Sequence, residues 1–366
     1  MTPLPELEEK QRRVNAFLDE GGYDGLLLAR VDNFAWFTGG GDHHVNSAEE
    51  TGVGALLIRR DRKTLITNNV ERARLLEEEL SDQGWAEEIS LWTQDALPPI
   101  LARLTGGERI AGDVALPGLL PCPTEIARLR RSLTEEEVAR YRQLGCEVGE
   151  AIGEAATSIH PGMTEYDVAA AIAQEHFRRG IKPIVVLVAA DERLLKYRHP
   201  LPTANPVRRT AMLVVCGRRH GLIVSVTRLV SFGPVPEELK RKHRAVVAVD
   251  AAFLAATQVG ARIGDIFSQG VAAYATQGYP EEWQLHHQGG PTGYAARDYR
   301  ATAEIDDTVQ PWQAFAWNPS ITGTKSEDTI IATPAGPEII SSSPGFPTLE
   351  AEAPGARFRR ADILVR

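Results

Sequence analysis

The stretch Leu285-His286-His287-Gln288-Gly289-Gly290-Pro291-Thr292-Gly293-Tyr294 decides how this chain is read. Two adjacent histidines and three glycines stand ahead of an apolar run, Ala314-Phe315-Ala316-Trp317, which ends in Asn318-Pro319. A second polar cluster, Lys325-Ser326-Glu327-Asp328-Thr329, opens onto Ile330-Ile331-Ala332. Polar groups at the ends of apolar strands are expected to aim into one cleft, where each must be paired or used.

Outward from that stretch, composition sets bounds. A length of 366 residues predicts two domains. A hydrophobic share of 43% supports a large core, and 24% charged residues is ordinary. The net charge of −9 argues against nucleic acid or an anionic membrane as main partner, and solubility alone explains it. Cys122, Cys146 and Cys216 are far apart and form no CxxC pair, so reduced thiols and a cytoplasmic location are expected. The polar, acidic start predicts no signal peptide. No apolar run approaches ~20 residues, so no membrane span is expected.

The first third alternates helical and strand-like patterns. Residues 6–18 read as a helix stopped by Gly21-Gly22. Strands are expected at 25–29, 53–58, 64–67, 88–91 and 109–112, with helices at 70–80 and 96–104, which makes an α/β domain. Three prolines between Pro117 and Pro123 mark a boundary, and the domains are set at 1–125 and 126–366. The second opens with a capping box, Thr134 with Glu137, ahead of a long helix carrying Val138, Tyr141, Leu144, Val148 and Ile152. Thr164 caps a second helix. Strands at 184–189, 212–216 and 222–230 precede helices at 236–257 and 263–277. The basic tail after Pro354 is expected to be peripheral.

This order of helix pair, strands, helix pair and strands resembles the pita-bread fold of the creatinase, prolidase and aminopeptidase P family. Several motifs carry the resemblance. His160-Pro161-Gly162-Met163-Thr164-Glu165 is similar to the family's turn between its first two helices. Arg198-His199-Pro200, Gly221 with Thr227-Arg228, Gln310-Pro311 through Asn318-Pro319, and Ser326-Glu327-Asp328-Thr329 follow in the family's order. Asn33-Phe34-Ala35-Trp36-Phe37-Thr38-Gly39 looks like the motif of creatinase and prolidase N-terminal domains. The resemblance covers roughly residues 8–345. It implies an α/β N-terminal domain followed by an α+β pita-bread domain, and a homodimer. The glycine-rich loop with His43 and His44 then either caps the partner's cleft or is a flexible surface loop.

The same resemblance implies two metal ions held by two aspartates, a histidine and two glutamates, and here the match fails. Val215 and Ser225 stand at the aspartate positions, Gly290 at the histidine and Asn318 at the first glutamate. Only Glu327 is left, and one carboxylate does not hold two divalent ions. No metal and no other cofactor is therefore expected. His286 and His287, read as neighbours on a strand, point to opposite faces and share no ion unless a bulge intervenes.

The remaining polar residues form the candidate site. Family members contact substrate with a histidine at the position of His199, and the metal-free creatinase uses it for proton transfer, a role suited to a near-neutral pKa. Glu327 is its catalytic companion, orienting water or pairing with Arg297 or Lys325. Arg297 binds a substrate carboxylate or pairs with Asp298 or Glu327. His286, His287, Asn318 and Ser225 are taken as substrate-binding, and Tyr294 as a wall. The glycines at 289, 290 and 293 are expected to leave room for a small polar molecule or short peptide. Three functions compete: a metal-independent, creatinase-like hydrolase of a small C–N bond, which is preferred; a non-catalytic peptide- or metabolite-binding homologue; and a true Xaa-Pro dipeptidase or aminopeptidase, which the ligand count disfavours.

Overall fold

The structure, a computed structural model, describes residues 4–366. It divides into two compact units, Met1–Glu137 and Val138–Arg366.

The first unit is built on a six-stranded mixed sheet, β1 (Gly25–Arg30), β2 (Thr51–Ile58), β3 (Lys63–Asn68), β4 (Ala86–Ser90), β5 (Ile110–Gly112) and β6 (Leu119–Pro121), in the order β4-β3-β2-β1-β5-β6. Five of these strands, β1 to β5, stand where the sequence pattern predicts them. β6 falls inside the proline-rich stretch, at the sheet edge, where a missing N–H is tolerated. The helices are α1 (Leu4–Gly21), α2 (Val31–Thr38), α3 (Arg72–Arg74), α4 (Leu97–Thr105) and α5 (Pro123–Leu129). The helix expected over 70–80 is only briefly α-helical; it continues as a π-turn over Leu75–Glu79. α2 is the Asn33–Gly39 motif, and Gly39 ends it in the left-handed region at φ 75°.

His43 corrects the expectation of a flexible loop. It is fully buried and stacks on Phe34 at 3.9 Å, and its Nδ1 lies 2.7 Å from the Gly54 carbonyl. His44 stays partly exposed and meets the Glu49 carbonyl.

The second unit opens within α6 (Glu135–Ser158), whose first three residues belong to the first unit. The expected capping box is there: Glu137 Oε2 accepts from Thr134 N at 2.8 Å, and Thr134 Oγ1 accepts from Glu137 N at 3.3 Å. Thr164 likewise caps α7 (Glu165–Phe177), paired reciprocally with Asp167. A four-stranded sheet follows, β18-β9-β8-β7, from β7 (Lys182–Ala190), β8 (Thr210–Arg219), β9 (Leu222–Ser231) and β18 (Ile363–Val365). α8 (Glu237–Ala256) and α9 (Ile263–Thr276) are the second helix pair. A second antiparallel sheet, β10-β11-β14-β15, comprises β10 (Gly289–Thr292), β11 (Gln313–Trp317), β14 (Asp328–Thr333) and β15 (Gly336–Ile339). A small hairpin, β12 (Ser320–Ile321) and β13 (Thr324–Lys325), sits between β11 and β14 in sequence. The two larger sheets are stitched where Thr329 Oγ1 accepts from Ser225 N at 2.8 Å and Thr227 N donates to the Glu327 carbonyl at 3.2 Å. Ser225 and Glu327 lie on this seam, and Arg297 reaches both of them.

The C-terminal tail is not peripheral. β16 (Thr348–Ala353) and β17 (Ala356–Ala361) form a hairpin, and β18 extends the first sheet by parallel pairing with β9. Arg360 on β17 is almost fully buried. It reaches Asp250 of α8 at 2.8 Å and Asp328 of β14 at 3.0 Å. A basic tail reads as solvated only when its anionic partners, more than 30 residues away, are out of view.

α6 also approaches the chain before the tail closely. A Cβ on Gly149 would stand 2.3 Å from the Ser342 carbonyl oxygen. Gly149→Ala is therefore expected to destabilise. The gain of about 1 kcal/mol from helix propensity loses to an overpacking cost of about 1–3 kcal/mol against backbone that cannot rotate away. A lowered thermal midpoint of the variant would bear this out; a raised one would refute it.

Candidate active-site cleft

Glu327 ends the loop before β14 and is buried. Three donors surround its carboxylate. Lys325 Nζ lies 2.7 Å from Oε2, Arg297 Nη2 donates to Oε1 at 3.1 Å, and Thr227 Oγ1 donates to Oε2 at 2.7 Å. Burial alone would push the Glu327 pKa up, but the charges of Lys325 and Arg297 outweigh it and hold the carboxyl below its ordinary range. Of the partners left open for Arg297 and Glu327, each has the other.

Arg297 also donates through Nη1 to Ser225 Oγ at 3.2 Å, and Ser225 faces the Cys216 thiol at 3.3 Å. Arg297 Nε and Asn318 Oδ1 are buried without a hydrogen-bond partner among the described residues. An orphaned buried polar atom costs about 1–3 kcal/mol, so each is a position that a ligand would satisfy. Gln288, by contrast, is spent on structure: Tyr274 Oη donates to its Oε1 at 2.7 Å, and its Nε2 donates to the Trp283 carbonyl at 3.0 Å. Tyr294 is buried.

His199 is exposed on the loop after a 3-10 turn, Asp191–Leu195. Its Nε2 lies 3.1 Å from His286 Nε2, so one ring donates to the other. His286 and His287 are not on opposite faces of a strand. His286 directly follows a 3-10 turn, Glu282–Leu285, and β10 begins only at Gly289, so strand alternation does not apply. Their rings are 4.5 Å apart, and His199 stands 4.9 Å and 5.7 Å from them. Burial lowers the pKa of all three, with Lys325 adding to it at His199 and His286 and Arg297 at His287. His286 falls to about 2 and His287 to about 4.

A clamp holds this arrangement. Arg198 pairs with Glu282 of the second 3-10 turn and donates to Thr322 Oγ1 at 2.9 Å, and Thr322 N donates to Glu282 at 2.9 Å. Three segments that each bear a site residue are thereby tied at one acid. Sequence reading names Arg198 and Thr227 only as members of the quoted motifs, without a role, and misses Glu282. Glu282→Gln is expected to loosen all three segments and lower the thermal midpoint of the second unit, while Glu281→Gln leaves it unchanged; equal midpoints for the two would disprove the clamp.

The glycines do not open space as expected. A Cβ on Gly290, at φ 149°, would lie 2.6 Å from the Tyr299 carbonyl oxygen, and one on Gly289, at φ 95°, would lie 2.1 Å from that of Ala316. Neighbouring backbone fills these positions, and only Gly293 faces open space. Trp317 belongs to the core, stacked on Phe253 at 4.8 Å.

Comparison with known proteins places the chain. Residues 139–334, just over half of it, match the description metallopeptidase family M24, and residues 10–121 match the creatinase/prolidase N-terminal domain. Among solved structures, an Xaa-Pro dipeptidase from Bacillus anthracis superposes with a TM-score of 0.78 at 17% identity, over 98% of this chain and 100% of that one. A prolidase from Pyrococcus horikoshii gives 0.78 at 18%, over 92% and 98%. The N-terminal domain of the FACT complex subunit SPT16 from chickpea gives 0.69 at 10%, over 92% and 96%. At such identities the likeness is one of fold. No curated protein matches the sequence. Among the described residues no helix is long and apolar enough to cross a membrane. With its creatinase-type N-terminal domain, its pita-bread second unit and its match over residues 139–334, the chain belongs to the metallopeptidase M24 family, in the creatinase, prolidase and aminopeptidase P group.

Proposed function

We propose that the cleft has lost the paired-ion chemistry of the family and binds a small carboxylate-bearing compound. The observation that carries this reading is the Lys325–Glu327–Arg297 cluster. Two cations converge on the one acid at the family's ligand positions, so the local charge is already positive without any ion. The donor set does not fit two divalent ions: Val215 and Gly290 bring no ligand, Ser225 and Asn318 bring neutral oxygens, and backbone occupies the space a side chain at 290 would need. The orphaned Arg297 Nε suits a carboxylate oxygen, and the orphaned Asn318 Oδ1 suits an N–H donor.

Hydrolysis of a C–N bond in such a compound is the second reading, favoured by His199. Its ring is exposed at the rim and kept neutral by a lowered pKa, so it has a lone pair to take a proton. Glu327, bound by three donors, positions Arg297 and Lys325 in this reading rather than acting as a base. Peptide capture without turnover is the remaining alternative.

Thermal-shift titration with small carboxylates, N-acyl amino acids and guanidino acids tests the proposal. At least one is expected to stabilise the protein, and Arg297→Ala to weaken that ligand by 2 kcal/mol or more, about 30-fold. Identical affinity in Arg297→Ala would contradict it. Release of amine from the same compounds, lost in His199→Ala, separates hydrolysis from binding. The proposal includes a domain boundary between residues 125 and 126, a cytoplasmic location consistent with three free cysteines, and a homodimer. Light scattering is expected to give about twice the chain mass of 40.0 kDa; the monomer mass at micromolar concentration would remove the dimer.

A further inference from the structure

Three imidazoles meet at the edge of the cleft, and the carboxylate-binding reading does not use them together. One ligand nitrogen from each of His199, His286 and His287 lies within 4.8 Å of the others. The Nε2 atoms of His199 and His286 are 3.1 Å apart. Two nitrogens on one tetrahedral zinc, each at 2.0–2.1 Å, stand about 3.3 Å apart, so this pair already has the spacing of ligands on a shared ion. The rings are also held from behind. Ser320 Oγ lies 3.5 Å from His286 Nδ1, the ring nitrogen that faces away from His199. The Arg198–Glu282–Thr322 clamp fixes the loop of His199 against the turn before His286. Such outer contacts orient metal-binding histidines and set their tautomers. The Gly289 N–H to His287 Nδ1 contact is long, 3.3 Å, and is the one that binding through Nε2 would exchange.

We propose that His199, His286 and His287 form a site for a single first-row divalent ion such as zinc, with its remaining position open to an anionic ligand. This site shares no residue with the positions at which the family holds its paired ions, which here are Val215, Ser225, Gly290, Asn318 and Glu327. Three neutral imidazoles select a borderline metal such as zinc, cobalt or nickel over magnesium or calcium. Arg297, Arg300 and Lys325 are near enough to act on the histidines electrostatically. They oppose a bare dication, and an anion on the ion offsets them. The ion and a small carboxylate therefore bind cooperatively, each tightening the other by the same factor. An ion here takes the His199 lone pair, so zinc inhibits any turnover that depends on free His199.

Calorimetric titration of the chelator-stripped full chain with zinc tests the site, in chloride and again in acetate. One ion per chain is expected, with a Kd below ~10 μM, about 7 kcal/mol, and tighter binding in acetate. His286→Ala and His287→Ala are each expected to weaken it at least ~100-fold, since three ligands are the minimum for such a site. X-ray absorption at the zinc edge of the wild-type protein keeps the test independent of variant folding. Two or three imidazoles on the ion support the site. An oxygen-only shell, or no stoichiometric binding at ~0.1 mM zinc, overturns it. Carboxylate binding by metal-free protein leaves the preceding proposal standing if zinc fails, and zinc bound by Arg297→Ala leaves this one standing if carboxylates fail.

Discussion

Arg360→Ala is expected to lower the stability of the second unit by about 3–5 kcal/mol, the cost of breaking a buried ion pair from one side. Arg360 is nearly inaccessible, as are both of its partners, Asp250 and Asp328. Removal of the guanidinium leaves Asp250 with the Ser326 hydroxyl and Asp328 with Arg228 and Ser341. Neither set replaces the lost charge for Asp250, whose carboxyl burial already pushes towards the protonated form. Urea unfolding measures the effect. Asp250→Asn on the Arg360→Ala background is expected to recover part of the loss, because it removes the uncompensated charge. A change below about 1 kcal/mol would show that the tail contributes little, as for an exposed pair. Asp328 adjoins Glu327, so a loosened Arg360 is also expected to raise the mobility of the Lys325–Glu327 loop.

Glu327→Gln is expected to cost a similar 3–5 kcal/mol. It keeps the shape of the side chain and an acceptor for Thr227 but leaves Lys325 and Arg297, both largely buried, without their shared counter-charge. The pH dependence has a definite sign. The folded Glu327 pKa lies below its ordinary value, so its stabilisation is complete above the unfolded value of about 4.3 and falls away as pH drops from there through the folded pKa. The difference between wild type and Glu327→Gln is thus expected to stay constant from neutral pH to about 5 and to shrink below about 4. A difference that grows on acidification would mean the carboxyl is protonated in the native protein.

Local rules made much of this fold legible. The capping residues Thr134 and Thr164, the stripe from Val138 to Ile152 and the apolar runs of β7, β8 and β9 each specify their element from neighbours a few residues away. The pairing of Arg297 with Glu327 is among those the sequence suggests, since a retained acid in an apolar setting needs a cation. What stayed hidden depends on distant backbone. His286 and His287 converge because a 3-10 turn interrupts the strand pattern, and nothing in Glu282–Leu285 announces that turn over a strand. Gly290 reads as open space, yet the Tyr299 carbonyl fills it. Arg360 reads as surface charge until α8 and β14 bring two aspartates to it.

Anomalous diffraction from crystals soaked in manganese, collected at the manganese edge, examines the cleft most directly. With Lys325 and Arg297 seated on Glu327, no anomalous peak is expected within bonding distance of its carboxylate, at any manganese concentration the crystals tolerate. A peak at the three histidines would be separate from that position. One or two peaks bridged by Glu327, with Lys325 or Arg297 displaced, would contradict the loss of the paired-ion site.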